Sequence, residues 1–314
     1  MGGLQMAVYE HLYGAYDGAE QSQWARLFVI PRYALRDVLK SKLLLTIFII
    51  CFLYPLIAAI LVYLRHNANA VALLQINITE LLPIDASFFR TYVEVQGAFA
   101  FILTVLVAPS LISRDLSNNA LPLYLSRPLS RTEYVLGKVT VIAVLLSLMT
   151  WIPGLLIFLF QASLAGPAWL WSNLWMIGAI FLSSAAWIIL LSLIALAISS
   201  LVKWRVVASG AMLGLFFIPG VLGQIINELF LTRSGQLISL WANMNSIWIG
   251  LFGLFEREAG RVQGTVTNPI YNKQFFDVVL LEPPLWASWL VVVIACGICI
   301  FILSRKIRAY EVVK

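Results

Sequence analysis

Cys296 and Cys299 stand three residues apart in a C-x-x-C arrangement, which on a helix would put both thiols on one face. Such a pair could exchange with a disulfide or hold a soft metal ion. Either chemistry needs company. The third cysteine is Cys51, far away in the chain, and the two histidines, His11 and His66, fall outside every long apolar run. The pair therefore reads as two small hydrophobes, as free cysteine usually does. The three cysteines make no disulfide framework either. Gly137-Lys138 is the nearest approach to a phosphate-binding loop, but it lacks the upstream glycine of G-x-x-x-x-G-K and is followed by Val139 rather than Ser or Thr. Asn77-Ile78-Thr79 matches a glycosylation acceptor, a pattern common by chance. No catalytic, metal or cofactor site is expected on this chain.

The elements that carry these residues are apolar. Of 314 residues, 61% are hydrophobic and 11% charged, with a mean hydropathy of +0.91. A soluble domain carries about 25% charged residues. The composition excludes a soluble enzyme and a disordered chain. It also excludes a nucleic-acid binder: the net charge of +6 comes from 21 basic residues spread too thinly for a phosphate-binding surface. A helix needs about 20 apolar residues to cross the hydrocarbon core. Six segments meet that length, at 43–64, 95–113, 139–162, 174–202, 206–231 and 285–304. They are continuous rather than alternating, which points to helices and not to a barrel. Residues 1–42, polar and mixed, do not read as a cleavable signal peptide.

Basic residues set the orientation. With a cytoplasmic N-terminus, 15 Lys and Arg fall on inside segments, including Arg26, Lys42, Arg114, Lys138, Lys203, Arg205 and Arg305. Only six (Arg65, Arg90, Arg233, Arg257, Arg261 and Lys273) fall outside. Both termini are expected in the cytoplasm and the chain in the inner (plasma) membrane. The domains follow: 1–42 is a cytoplasmic N-terminus, 43–304 a transmembrane domain and 305–314 a cytoplasmic tail.

Inside the spans the unusual residues are few. Pro55, Pro109, Pro153 and Pro219 each remove a backbone donor, so they are candidate hinges, although proline is also simply commoner in membrane helices. Ser183, Ser184, Ala185 and Ala186 make a small-residue run suited to close helix packing, within the chain or against a second subunit. Glu228, near the outer end of the fifth segment, is the one ionisable exception within the spans. It reads as an interfacial carboxylate reaching water or as a substrate contact. A chain of midplane carboxylates for proton coupling is missing, which weakens a secondary-carrier reading.

Two cytoplasmic elements stand out. Residues 24–42 have helical periodicity, with Trp24, Leu27, Phe28, Leu35, Val38 and Leu39 apolar and Arg32, Arg36 and Lys40 forming a basic stripe. That pattern suits an amphipathic helix lying at the lipid headgroups. The loop 114–138 contains helix caps at Ser117, Asn118 or Asn119, Pro122 in a first turn, and a stop at Arg127-Pro128. A short helix at the membrane face, with an aromatic and arginines exposed, is a docking surface.

The segment Leu125-Ser126-Arg127-Pro128-Leu129-Ser130-Arg131, followed by Tyr134, Gly137 and Lys138, resembles the coupling-loop signature of type-2 ABC transporter permeases. Its wording is closest to the multicopper-enzyme-maturation permease branch. Ala34-Leu35-Arg36-Asp37 through Lys42 resembles the connecting helix that opens the same family. Asn118-Asn119 departs from the Gly-Thr pair of many members. The resemblance implies a dimer with a second permease copy or paralogue, each chain served by a cytoplasmic ABC ATPase subunit that binds ATP and Mg. It also implies that Asp115, Asn118, Leu121, Tyr124, Arg127 and Arg131 engage that ATPase.

The external loop 232–284 is too long for a plain connection. Its apolar stretch 236–255 includes Leu237, Leu240, Trp241, Trp248, Phe252 and Phe255. A seventh span there would put the basic tail on the wrong side. An interfacial or re-entrant helix pair is expected instead, forming an exit gate with Glu228, Trp241 and Trp248 or a surface for an external or periplasmic protein. The expected fold is an all-α integral membrane protein. It has six transmembrane helices, an N-terminal interfacial helix, a cytoplasmic coupling helix and short external helices before the last span. The expected function is the permease subunit of an ATP-driven exporter of a hydrophobic or amphipathic substrate. The alternatives are a force-transmitting subunit acting on an external partner, a secondary carrier or channel, and a structural membrane anchor.

Overall fold

The computed structural model describes residues 32–33, 36, 40–67, 83–117, 131–202, 204–230, 234–254, 266–268, 273–275 and 283–306. Helices α1 (Lys42–Cys51) and α2 (Leu53–His66) make the first span. The second is α3 (Ala86–Ser117). The third is α4 (Arg131–Met149) and α5 (Trp151–Ala165), and a short α6 (Pro167–Asn173) leads to α7 (Trp175–Leu201), the fourth. The fifth is α8 (Arg205–Phe230). A 3-10 turn (Gly235–Ile238), α9 (Leu240–Leu251) and two strands, β1 (Val266–Asn268) and β2 (Lys273–Phe275), precede the sixth, α10 (Leu285–Lys306). Among the described residues, six helical segments are thus long and apolar enough to cross a membrane. The strands pair antiparallel, with Thr267 opposite Gln274. This hairpin was not anticipated in a stretch read as charge-balanced and solvated.

The bundle is built around α7. Two thirds of its apolar window is buried (67%), against 22% for the first and fifth spans. Small residues make this possible: Ser183, Ser184, Ser192, Ala195 and Ser199 are all buried, which allows neighbouring backbones to come close. Side chains of α7 also bond directly to the backbone of α3. The Trp187 indole donates to Gly97 O (2.9 Å), and the Ser199 hydroxyl reaches Ala108 O at 3.4 Å.

The second span begins at Ala86, earlier than the expected 95. Asp85 caps it, its Oδ1 accepting from the amides of Ser87 (2.9 Å) and Phe88 (3.3 Å). One turn further on, Arg90 and Glu94 form an ion pair at 3.1 Å, at the i,i+4 spacing. These charges lower the local hydropathy without stopping the helix, because they neutralise each other. The expectation that Glu228 is the sole ionisable residue within the spans is corrected accordingly.

Prolines divide two spans. A proline ring excludes the carbonyl four residues back and offers it no N–H. Pro55 accordingly breaks the first span between Cys51 and Leu53, and Pro153 breaks the third at Thr150. Pro219 lies within α8, which stays helical from Arg205 to Phe230, and Pro109 lies within α3.

Candidate functional site

A cavity of about 780 Å³ opens between α3, α8 and the segment that folds back after α8. From α3 come Glu94, Ala98, Phe101 and Ile102, which recur at helical spacing and so share one face. From α8 come Leu213, Phe217, Val221, Gln224 and Glu228 among others, and from the returning segment Gln236, Trp241 and Asn245. The walls are mostly apolar, with a few polar groups, as in small-molecule sites generally.

The returning segment is held by specific contacts. Gly223 and Gly235 touch backbone to backbone: a Cβ on Gly223 would lie 2.5 Å from Gly235 O. Asn227 accepts from the Gly235 amide at 2.7 Å. Asn243 donates to Leu237 O (2.8 Å) and Ser239 O (2.7 Å), and Ser239 caps α9 by accepting from Ala242 N at 3.3 Å. Arg90 of α3 donates to Asn245 Oδ1 at 2.5 Å. Met244, Ile247, Trp248 and Ile249 are fully buried, so α9 lies inside the bundle rather than on its surface. At 1.5 Å per residue its length is about 18 Å, too short to cross a bilayer.

Behind the cavity the rings of Trp187, Trp241 and Trp248 meet edge to face, with centroids 5.3–6.0 Å apart. Trp187 also packs on Phe216, which in turn lies 4.7 Å from Phe101. The Trp248 indole donates to Ser183 O at 3.3 Å. α3 passes this cluster at Gly97, where a Cβ would stand 2.8 Å from Trp248 Cη2.

α3 also holds the two broken spans. Gln96 Nε2 donates to Cys51 O at 3.2 Å, the carbonyl that Pro55 leaves without a helical donor. The Tyr92 hydroxyl donates to Thr150 O at 3.2 Å, at the break before Pro153. The carbonyl opposite Pro109, Val105 O, accepts from Ser209 Oγ of α8 at 2.9 Å, and Arg205 donates to the adjacent Leu106 O at 3.2 Å. Cys51 O and Val105 O, each four residues before a proline, need such partners because lipid offers none, whereas Thr150 O already accepts from the Gly154 amide at 3.1 Å and Tyr92 adds a second bond there.

A sequence profile of the family described as ABC-2 family transporter protein matches residues 29–243. The chain belongs to the ABC-2 transporter permease family. No curated protein matches its sequence. This ABC-2 permease is therefore a multi-pass transmembrane subunit of an ABC transporter and not itself the catalytic chain. The matched region runs from before the first span into α9 and takes in Glu228 and Trp241.

The positions singled out by sequence are spread through the permease. Glu228 and Trp241 line the same cavity, while Trp248 is buried behind Trp241 and does not line it. Pro55 and Pro153 stand at real breaks. Arg32, Arg36 and Lys40 are helical and exposed at four-residue spacing, whereas Trp24 lies outside the described residues. Asp115 falls in the last turn of α3, and Arg131 opens α4. Asn118, Leu121, Tyr124 and Arg127 lie outside the described residues, as do His11 and 77–79. Cys296 and Cys299 are free thiols on α10.

Sequence reasoning missed Arg90, Glu94, Gln96, Gly97, Gln224 and Ser209. For Arg90 and Glu94 the i,i+4 spacing of opposite charges after a capping Asp was an available signal. For the others no local signal exists, because their partners lie on other helices.

Proposed function

We propose that this chain is the membrane-spanning subunit of an ATP-driven exporter whose cargo is hydrophobic or amphipathic. The observation that carries this reading is the mostly apolar cavity of about 780 Å³ bounded by α3 and α8. Family membership supports a separate ATPase, since such permeases typically work with a cytoplasmic ATPase subunit. ATP and Mg are bound by that partner.

In this account both termini face the cytoplasm of a cell with its inner (plasma) membrane as the host bilayer. Residues 114–131, with Asp115, Arg127 and Arg131, engage the ATPase. A push there is delivered to α3, which is continuous from Ser117 to the cavity wall at Phe101, a distance of about 24 Å at 1.5 Å per residue. Because α3 holds the breaks of the first and third spans through Gln96 and Tyr92, its displacement is shared with both. Pro55 and Pro153 then serve as hinges. The large exposed faces of the first and fifth spans suit lipid on one side and a second permease copy on the other.

Reconstitution tests the reading. Inside-out proteoliposomes holding the permease with its ATPase should take up an amphipathic dye only when ATP and Mg are supplied. Uptake driven by an ion gradient through the permease alone would overturn it.

A further inference from the structure

The cavity has a charge character as well as an apolar one. Glu94 and Glu228 both face it, and among the described residues none that lines it is Lys or Arg. The two carboxylates are not equivalent. Glu94 is held by Arg90 at 3.1 Å. Glu228 accepts a hydrogen bond from Gln224 Nε2 at 3.1 Å, and among the described residues it pairs with no cation. The same cavity is lined by the aromatic rings of Phe101, Phe217 and Trp241.

A carboxylate on a membrane helix is costly to keep and marks function by default. Aromatic rings attract cations through the negative charge of their faces. A purely apolar cargo would have no use for Glu228, and an anionic one would be repelled by it. The volume falls within the range of small-molecule sites. We propose that the cavity binds an amphipathic organic cation, whose charge pairs with Glu228 and whose apolar body lies against Phe101, Phe217 and Trp241. This deepens the export reading, since the cation would be the cargo. Its test reads binding rather than transport, so that failure of one does not stand for failure of the other.

The full-length chain is placed in lipid nanodiscs and titrated with radiolabelled tetraphenylphosphonium, with empty discs as the background. Tetraphenylborate, the same shape with the opposite charge, is the competitor. The expected result is saturable binding that unlabelled tetraphenylphosphonium displaces and tetraphenylborate does not. Glu228→Gln, at an exposed position, should weaken binding at least about tenfold, while Glu228→Asp retains most of it. Val221→Trp, which fills the cavity from another exposed position and leaves every charge in place, should abolish it. Binding no greater than that of empty discs, equal displacement by tetraphenylborate, or unchanged affinity in both Glu228→Gln and Val221→Trp would each overturn the proposal. If binding behaves as expected but ATP drives no uptake in proteoliposomes, the site stands and the export reading falls.

Discussion

Gln96 donates its side-chain amide to the backbone carbonyl of Cys51 across 3.2 Å, and that carbonyl is the one Pro55 deprives of its helical donor. The break in the first span and the glutamine on the second are therefore one unit. A double-mutant cycle checks this. Gln96→Leu should destabilise the folded chain by roughly 1–3 kcal/mol, the cost of a buried acceptor left unmade. Pro55→Ala restores an N–H to the first span, so the same Gln96→Leu change should cost clearly less in that background. Thermal unfolding in detergent reads both. Equal costs in the two backgrounds would show that Gln96 acts elsewhere.

Gly97 is needed where α3 passes the tryptophan cluster. Gly97→Ala would set a methyl 2.8 Å from Trp248 Cη2, against a ring that is fully buried and cannot swing away. The expected cost is about 1–3 kcal/mol from overpacking. Trp248→Phe removes the atom in the way and should relieve part of that cost in the double variant. Melting temperatures of the four proteins decide it.

Orientation can be checked without knowing the cargo. In a chain with Cys51, Cys296 and Cys299 replaced by alanine, single cysteines are introduced at the exposed positions Trp204 and Ser234. With cytoplasmic termini, a membrane-impermeant maleimide added to intact cells should label Ser234→Cys and spare Trp204→Cys. The reverse pattern would invert the topology.

The long apolar runs made four of the six spans legible from the sequence close to their observed bounds, because burial in lipid demands length and continuity, while the third begins at Arg131 rather than at 139. The second was shortened by Arg90 and Glu94, whose charges count against a span until they are seen to pair. The returning segment was legible as apolar and helical, and its tryptophans marked it as unusual. Which of the two expected placements it takes, interfacial or re-entrant, was not, since its position inside the bundle depends on Gly223 meeting Gly235 and on Asn243 satisfying two carbonyls. Of the candidate site, Glu228 and Trp241 stood out by being rare in their surroundings. Glu94, Gln224 and Phe101 became part of it only once α3 and α8 were side by side. The partners of the prolines, Gln96, Tyr92 and Ser209, belong to the same class: each is an ordinary residue until its neighbouring helix is known.

The hinge role of the third span makes a milder prediction. Replacing Tyr92 by Phe keeps its ring and removes the hydroxyl that donates to Thr150 O. Interhelical hydrogen bonds in membranes average about 0.6 kcal/mol, so stability should fall by no more than about 1 kcal/mol. Coupling should suffer more, seen as ATP turnover by the complex that no longer responds to cargo.

ATP turnover by the permease purified together with its ATPase tests the central claim most directly, because it needs no knowledge of the cargo. The intact complex should hydrolyse ATP at a rate different from that of the ATPase alone. Arg127→Glu, or deletion of residues 117–126, should release the ATPase or return turnover to the isolated rate. If both variants retain the ATPase with unchanged, cargo-responsive turnover, residues 114–131 do not couple the two chains and the account is contradicted.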